Sequence, residues 1–406
     1  MPGRPVLLRR GLSPAIPGEK PERLSLSCVD RPEVSRVSDR IGLRQWNRTL
    51  LQRQHLLARV DDDAVEVLDR VVGMQSQDPR AAFFGLHARL ENFVPAELDT
   101  LMTDRETVRM ALLRSTVCLL DTEDARWIRP VVQPALDAEL TGTHARRLVA
   151  ATPQAIVEAA GEILADGPIR GDDLGKRLAQ RFPEEAPVIL TRVVRCALPL
   201  VQVPPRGLWA GSGSPTYSLF DDWAGAGAPA LTGDEARCEL VRLYLRGFGP
   251  ATVAAIQMWS GISGLKPLVE KMEADWELAK LTGPDGETLY DLDGLGLAAA
   301  DEPAPVRLLA PYDHVVAAAA DRRRVAGEDA LKAIGTPNGQ MRGLILIDGW
   351  LSGTWTAAGG REPSVELFGE PTRSQRAGLD IEVQRLREFI RGRPADTLDS
   401  AEWAAD

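Results

Sequence analysis

The chain has 406 residues, of which 44% are hydrophobic and 26% charged, a composition typical of a globular protein with room for roughly two to four domains. No apolar run reaches the roughly 18 residues of a membrane helix, and the N-terminus has no apolar segment of signal-peptide length. The four cysteines and four histidines are scattered without disulfide or zinc spacing. We therefore expect a monomeric cytoplasmic protein with no metal and no cofactor.

The charge balance leaves the choice of partner open. A net charge of −10 argues mildly against nucleic acid but does not exclude it, because binding depends on the local field rather than on the sum of charges. Lysine occupies only six of the 48 basic positions, so nearly all of them are arginine, which grips phosphate in a bidentate manner. A GC-rich coding sequence explains the same bias more simply.

The N-terminal half begins with a segment that differs from the rest. Residues 1–40 are rich in Pro, Arg and Ser without hydrophobic periodicity, so we expect them to be disordered. From Leu43 onwards, apolar residues at helical spacing predict three helices, the second over Asp62–Met74 and the third from Pro79. A short helix and two β-like runs, TVRMALL and STVCLLD, follow. Helices followed by a two-stranded ribbon are typical of a winged helix.

The same order of helices and paired strands recurs twice. The second copy ends in ALPLVQV and GLWAGSGSPTYSLF, and the third ends in a hairpin around Pro284-Asp285-Gly286. From Val306, short β-like segments with glycine turns predict a small domain closed by an amphipathic helix at Arg376–Arg391. The predicted fold class is α+β, with three tandem winged helices and a β-rich, barrel-like C-terminal domain. The expected boundaries are an extension at 1–40, winged helices at 43–150, 151–224 and 232–300, a β-rich domain at 305–393 and a tail at 394–406.

The segment GMQSQDPR places Gln75 and Gln77 one residue apart, directly before Asp78-Pro79. A carboxylate followed by proline predicts a helix start, with Asp78 as N-cap and Pro79 at the first helical position. The two glutamines then fall in a turn between helices. In an extended backbone, residues i and i+2 point the same way, so both amides converge on one point. Two polar residues in an exposed turn need no function, and the motif by itself leaves both interpretations open.

Six segments resemble the winged-helix DNA glycosylases of the AlkZ/YcaQ type, in the expected order over about residues 43–390. They are WNRTLLQRQHLLAR, GMQSQDPRAAFFGLHAR, LLRSTVCLLDTEDARWIRPVVQP, RGFGPATVAAIQMWSGI, LLAPYDHVV and NGQMRGLILIDGWLSGTW. Gln-x-Gln is the catalytic motif of the AlkZ branch, whereas the other branch carries Gln-x-Asp. The resemblance implies that Gln75 and Gln77 are the catalytic pair and that the partner is double-stranded DNA carrying alkylated bases.

The chemistry of amides fits a restricted substrate. A carboxamide is too weak a base to deprotonate water, so it cannot drive hydrolysis of an unmodified N-glycosidic bond. A purine alkylated at N7 is already cationic and leaves as a neutral base, so orienting a water and stabilising an oxocarbenium-like sugar suffices. The resemblance implies such purines, including bulky or crosslinked adducts, in DNA repair or in self-resistance to a genotoxic metabolite. A bulky adduct favours reaction within the stacked helix over base flipping.

Several further residues are candidates for the site. Asp78 is an alternative base, although its position matches an N-cap. Cys118 occupies a position where the family often has a histidine, which puts any role of that histidine in doubt here; a buried strand cysteine is the simpler interpretation. No lysine lies close to the motif in the sequence, so we expect a monofunctional glycosylase without Schiff-base chemistry. The candidates for DNA contacts are Arg109, Arg114, Tyr217 and Arg323.

Two other functions stay open at the level of sequence. A non-catalytic winged-helix transcriptional regulator would read the major groove through its third helix, but PRAAFFGLHARL offers Phe83, Phe84 and Leu86 rather than exposed Arg, Asn or Gln. A protein–protein scaffold with an acidic surface would have no salt-dependent affinity for DNA.

Overall fold

The computed structural model describes residues 40–317, 320–335, 341–357 and 362–392. The expectations of a disordered extension and a frayed tail concern residues outside these ranges. Within them, no helix combines the length and the hydropathy that spanning a bilayer requires.

The first segment carries the Gln-x-Gln motif on a short strand. Its elements are α1 (Leu43–Arg53), α2 (Ala64–Arg70), β1 (Met74–Gln75), α3 (Ala81–Arg89), α4 (Pro95–Thr103), β2 (Thr107–Ala111), β3 (Val117–Asp121) and α5 (Thr122–Glu139). The helix predicted over Asp62–Met74 ends at Arg70, and Met74 begins a strand instead. Val72 and Gly73 have φ angles of 59° and 72°, in the left-handed region, where a right-handed helix cannot continue.

The next two segments repeat this order. The second consists of α6 (Pro153–Leu164), β4 (Ile169–Arg170), α7 (Gly171–Arg181), α8 (Pro187–Ala197), β5 (Leu200–Val203), β6 (Thr216–Leu219) and α9 (Phe220–Ala224). The third consists of α10 (Gly233–Phe248), α11 (Val253–Ser260), α12 (Lys266–Ala274), β7 (Leu278–Thr282) and β8 (Thr288–Leu292).

One pairing is common to all three segments: the short stretch ahead of the last two helices before the ribbon pairs antiparallel with the last strand of that ribbon. β1 pairs with β3, β4 pairs with β6, and an isolated bridge joins Ala251 to Tyr290 in β8. Met110 of β2 also pairs with Val201 of β5, which joins two ribbons into one six-stranded sheet of order β1-β3-β2-β5-β6-β4. The first two segments therefore share a backbone framework.

The C-terminal segment is β-rich, and the sheet formed by its described residues is open rather than closed into a barrel. It contains β9 (Arg307–Leu309), α13 (His314–Ala317), α14 (Glu328–Ala333), β10 (Gly343–Ile347), β11 (Trp350–Thr356), β12 (Ser364–Leu367) and α15 (Arg373–Arg391). Its antiparallel sheet has the order β12-β11-β10-β9, and in the described residues the two edge strands do not meet. Four strands are too few for closure, since a filled barrel takes about eight. α15 begins before Arg376, because Thr372 and Gln375 form a capping box.

Helix α3 connects the motif to the rest of the core. All nine of its residues are buried, so neither face is free to contact a partner. Phe83 packs against Trp209 with ring centroids 5.1 Å apart, and Phe84 packs edge-on against Trp355 at 5.1 Å. These rings come from the second and the C-terminal segments. Helix α3, which follows the motif, is therefore held in place by the second and the C-terminal segments as well as by its own.

Buried arginines join elements that are distant in sequence. Arg53 of α1 binds both carboxylate oxygens of Asp291 in β8 at 2.7 Å, and each side chain is 3% exposed. Arg53 also donates to the carbonyl of Leu245 at 3.0 Å. Because these groups are shielded from water, the carboxylate is required to balance the guanidinium.

We expect Asp291→Ala to lower the free energy of unfolding by about 3–5 kcal/mol, because it leaves Arg53 charged and unpaired in the core. The matched control is Asp166→Ala, which removes an exposed partner of Arg177 and should cost about 1 kcal/mol or less. Urea denaturation of both variants measures the difference. Equal decreases in the free energy of unfolding would show that the buried Arg53–Asp291 pair contributes no more to stability than the exposed pair.

Candidate active site

The motif lies in an extended backbone at the edge of the six-stranded sheet. Met74 and Gln75 pair with Leu119 and Cys118 of β3, and the Ser76 amide donates to the carbonyl of Val117 at 2.8 Å. Met74 and Ser76 are buried, Gln75 is half-buried and Gln77 is exposed. Met74 and Ser76 thus face the core, whereas Gln75 and Gln77 are the more exposed side chains of the motif.

The turn after the motif differs from the predicted helix start. α3 begins at Ala81 rather than at Pro79. Asp78 still acts at this boundary, because its Oδ1 accepts a hydrogen bond from the Arg80 amide at 2.8 Å. Asp78 therefore caps the turn that leads into α3 instead of the first turn of the helix itself.

Arg109 holds the motif from behind. Its Nε donates to the Ser76 hydroxyl at 3.0 Å and its Nη2 to the Ser76 carbonyl at 2.8 Å. The side chain is 2% exposed, so it has no surface to offer DNA, and the predicted DNA contact is replaced by a positioning role. Burial, together with the nearby Arg206, lowers the pKa of Arg109 to about 10 against the opposing effect of Asp78. Arg109 thus stays charged at neutral pH.

Arg114 contacts one of the two glutamines directly. Its Nη2 donates to Oε1 of Gln75 at 3.2 Å, and its Nη1 donates to the carbonyl of Trp259 at 2.8 Å. The side chain is half-buried, and burial lowers its pKa. Arg114 therefore orients the Gln75 amide from the turn between β2 and β3. Its predicted role as a DNA contact stays a prediction.

Cys118 is fully buried in β3, opposite Gln75 in the strand register. Its sulfur lies 3.6 Å from the Thr116 hydroxyl, and burial raises the pKa of the thiol. A protonated thiol is a weak hydrogen-bonding group and a poor nucleophile. Cys118 therefore has the packing role expected of a buried strand cysteine.

A wide groove with a volume of about 1030 Å³ opens beside Gln77. It lies between the β2–β3 turn of the first segment and helices α7 and α8 of the second. Gln77 lines it, with its Oε1 3.5 Å from the Val117 amide. Tyr217 also lines the groove but is 7% exposed, so it forms part of the floor rather than a projecting tip.

Positive charge predominates among the groove residues. The cations are Lys176, Arg192, Arg195 and Arg206, and the anions are Glu139 and Asp172. Arg195 is neutralised by Glu139 at 3.0 Å. Arg192 is exposed and, among the described residues, has no hydrogen bond or ion pair; the same holds for Arg146 and Arg147, which follow the groove residue His144. The groove thus contains one exposed arginine without an acidic partner, Arg192, and two more follow a groove residue in the sequence.

Two groove residues and a buried cysteine come close enough to suggest a metal. Glu139 and His144, which line the groove, and the buried Cys196 place one potential ligand atom each within 4.8 Å of one another. Burial raises the pKa of the Cys196 thiol, whereas a metal ligand must be a thiolate. The Glu139 carboxylate already binds Arg195 and lies 2.8 Å from Nε2 of His144. The guanidinium would repel a divalent cation, so we assign Glu139 and His144 to the wall of the groove and Cys196 to the core.

Arg323 is not available as a phosphate contact. It forms ion pairs with Asp321 at 2.7 Å and Glu287 at 2.5 Å, and a third with Asp285. Its neighbour Arg324 is buried and donates to the Phe248 carbonyl at 2.7 Å. Arg323 and Arg324 therefore make contacts within the fold, and the DNA contact predicted for Arg323 stays a prediction that would require these ion pairs to break.

Sequence patterns did not reveal the residues behind Gln75. Arg89 of α3 binds both oxygens of Asp313 at 2.9 and 3.0 Å, and His314 lies next to it at the start of α13. In the sequence, the segment LLAPYDHVV contains this Asp-His pair within a largely apolar run, and that pattern could have indicated buried polar residues with a role in the site. Tyr312 precedes it with a φ of 60°, a strained conformation for a non-glycine residue. The C-terminal segment thus forms the back of the site.

Comparison with known proteins assigns this architecture. The family model "DNA glycosylase AlkZ-like" matches residues 68–389. Among solved structures, Streptomyces sahachiroi DNA glycosylase AlkZ is similar with a TM-score of 0.70 and 21% sequence identity, over 86% of this chain and 97% of that one. At this identity the structural likeness establishes the fold alone. No curated protein sequence matches the chain. The family match spans most of the sequence, and the chain therefore belongs to the AlkZ-like family of DNA glycosylases.

Proposed function

We propose that this DNA glycosylase hydrolyses the N-glycosidic bond of purines alkylated at N7, with Gln75 and Gln77 holding the attacking water. The observation that carries the proposal is the motif at the sheet edge: Gln75 lines the small cavity and is bonded to Arg114, and Gln77, two residues on, lines a groove that contains the exposed cation Arg192. An amide oxygen accepts a hydrogen bond from water and stabilises a nearby positive charge. These are the two tasks that remain when the base is already cationic.

The proposed reaction balances without an acid or a metal. The C1′–N9 bond breaks, and its electron pair neutralises the positive charge of the alkylated base. Water forms the new C1′–O bond, and its proton leaves to bulk water through the groove. Arg114 uses one lone pair of the Gln75 oxygen, which leaves the second for the attacking water.

We further propose that each of the three repeated segments is a winged helix and that the groove beside Gln77 receives duplex DNA. Arg192, Arg146 and Arg147 are the proposed phosphate contacts, because they are exposed and lack acidic partners in the described part of the chain. A guanidinium without a carboxylate partner can neutralise a phosphate without first breaking an ion pair.

The sizes of the two cavities support activity on bulky adducts. The cavity directly behind Gln75 measures about 10 Å³, which is enough for one water and far too small for a nucleobase. The groove on the other side is open and about 1030 Å³ in volume. Reaction within the stacked helix, without base flipping, fits this arrangement, and it would allow the adduct to project into the groove.

The prediction of a monofunctional enzyme requires one qualification. The fold brings Lys176 into the groove, although it is distant from the motif in sequence. Its side chain is 70% exposed, and its amine lies 3.3 Å from the carboxylate of Asp173. A Schiff-base lysine has to lose its proton, which desolvation promotes, whereas an exposed amine beside a carboxylate is stabilised in its charged form. We therefore propose hydrolysis without strand cleavage.

The transcriptional regulator is the less favoured alternative. α3 is buried on all sides. α4, the third helix of the repeated unit, has the sequence PAELDTLMT, without Arg, Asn or Gln. Readers of the major groove need such side chains on the inserted helix.

Gln75→Ala/Gln77→Ala should lower the single-turnover rate of N7-methylguanine excision from duplex DNA by about 10²–10⁴-fold, because the water loses its two acceptors. DNA affinity should change little. The control is Gln154→Ala, an exposed glutamine of α6 bonded to Glu158, which should leave the rate unchanged. Retained activity in the double variant would refute the assignment, and Asp78→Asn would be the next variant to measure.

Arg192→Ala should weaken binding of undamaged duplex and reduce the slope of log affinity against log salt by about 0.9, the value for one phosphate contact. The comparison is Arg181→Ala, which removes an arginine of α7 that is paired with Glu162 and lies outside the groove. Fluorescence anisotropy at several salt concentrations gives both slopes. An unchanged slope for Arg192→Ala would place the duplex on another surface.

A further inference from the structure

A small cavity lies on the inner side of Gln75, between the motif and the C-terminal segment. Its volume is about 10 Å³, and its lining includes Gln54, Gln75, Arg89, Asp313 and His314. A space of this size accommodates one water molecule, provided that the wall offers hydrogen-bonding groups.

Most polar groups on this wall are bonded to other protein groups. Arg89 donates to both oxygens of Asp313 and, at 3.2 Å, to Oε1 of Gln54. The Gln54 amide nitrogen donates to the Gly247 carbonyl at 2.7 Å. These side chains form a rigid frame around the cavity.

His314 is the exception on this wall. Its side chain is 5% exposed, and neither Nδ1 nor Nε2 has a hydrogen-bond partner among the described residues. A neutral imidazole carries one donor and one acceptor, and buried polar groups of native proteins are nearly always bonded to protein or to ordered water. The polar edge of His314 therefore requires a partner in this cavity.

Gln75 has a matching unused group. Its oxygen accepts a hydrogen bond from Arg114 at 3.2 Å, whereas its amide nitrogen donates none in the described part of the chain. The two ends of a carboxamide are nearly equal in shape, so a single bond to the oxygen only partly selects one orientation. A flipped amide would present N–H groups to the attacking water instead of an acceptor.

We propose that His314 is a positioning residue for the glycosylase reaction, which holds one water in this cavity and, through it, fixes the Gln75 amide with its oxygen towards Arg114 and the reacting water. This inference rests on the catalytic role proposed for Gln75. The bridging water accepts from the Gln75 amide nitrogen and bonds to one ring nitrogen of His314. Arg114 and His314 thus select the same amide orientation from opposite ends.

The charge state of His314 suits this role. Burial lowers its pKa well below the usual value, and the nearby Arg114 and Arg89 act in the same direction. The ring is therefore neutral at physiological pH, so it retains a hydrogen-bond acceptor. It also adds no positive charge near a cationic substrate.

The test measures excision of N7-methylguanine under single-turnover conditions by wild type, His314→Phe, Gln75→Ala and the double variant. Phenylalanine keeps an aromatic ring beside Phe248, 6.4 Å away, but removes both nitrogens. We expect His314→Phe to lower the rate at saturating enzyme by at least about 10-fold, with unchanged affinity for DNA. Combined with Gln75→Ala, it should cause no further loss, because His314 acts through Gln75.

Conservative variants separate positioning from packing. Asn places a polar atom near Nδ1 and Gln near Nε2, so one of His314→Asn and His314→Gln should recover most of the rate. A wild-type rate in His314→Phe, or a loss that multiplies with that of Gln75→Ala, would overturn the proposal. So would a loss confined to DNA affinity.

A crystal structure of the wild type decides the question if the Phe variant does not fold. We expect an ordered water within hydrogen-bond distance of both a His314 ring nitrogen and the Gln75 amide nitrogen, and a cavity without that water would overturn the proposal. The activity of the wild type distinguishes a failure of the proposed function from a failure of this inference. An inactive wild type refutes the proposed function and this inference with it, whereas an active wild type with a fully active His314→Phe refutes this inference alone.

Discussion

The site depends on the pairing of a two-residue strand with its neighbour. β1 contains only Met74 and Gln75, and it is held in extended form by β3 on one side and by the guanidinium of Arg109 on Ser76. If this segment were helical, the two glutamines would diverge by about 200° around the axis. Positive φ angles at Val72 and Gly73 end the preceding helix in time for the strand to form. The extended backbone thus keeps both glutamines at the same edge of the sheet.

The arginine-rich composition has a structural explanation before a functional one. Arg48, Arg53, Arg89, Arg109 and Arg324 are all buried. They bind carbonyls and carboxylates between segments that are distant in sequence, as in the links from Arg53 to Asp291 and from Arg89 to Asp313. Arginine suits this task because its planar fork makes several directed hydrogen bonds while it stays charged. The exposed arginines without acidic partners, such as Arg192, are the better candidates for phosphate.

Sequence patterns predicted the larger features well and the contacts less well. Helical periodicity located most helices, and the AlkZ-like resemblance identified the family that the comparisons confirm. The helix predicted over residues 62–74 is too long at its C-terminal end. The residues that follow the helix form a turn and a buried strand that are also apolar, so the hydrophobic pattern does not mark where the helix stops. The sequence could not predict the burial of Arg109 or the acidic partners of Arg323, because both depend on tertiary packing. The same reason concealed Lys176, Arg192 and His314, which reach the site from other segments.

If Gln75 and Gln77 are the catalytic groups, as we propose, specificity follows from their chemical weakness. Two amides, one of them bonded to Arg114, can hold water but cannot protonate a leaving base. The positive charge of the alkylated base must then make it a good leaving group, as protonation by a general acid does in other enzymes. Discrimination against undamaged DNA would follow from this chemistry even without a pocket that inspects the base.

The most direct measurement compares N7-methylguanine with its neutral, ring-opened derivative at the same position of the same duplex, under single-turnover conditions. Both lesions present a methylated purine-derived base, but only the first is cationic. Because a general acid is worth about 10²–10⁴-fold, the cationic lesion should be excised faster by at least that factor. Comparable rates would show that the protein protonates its leaving group, and a site built on two neutral amides would then be the wrong account.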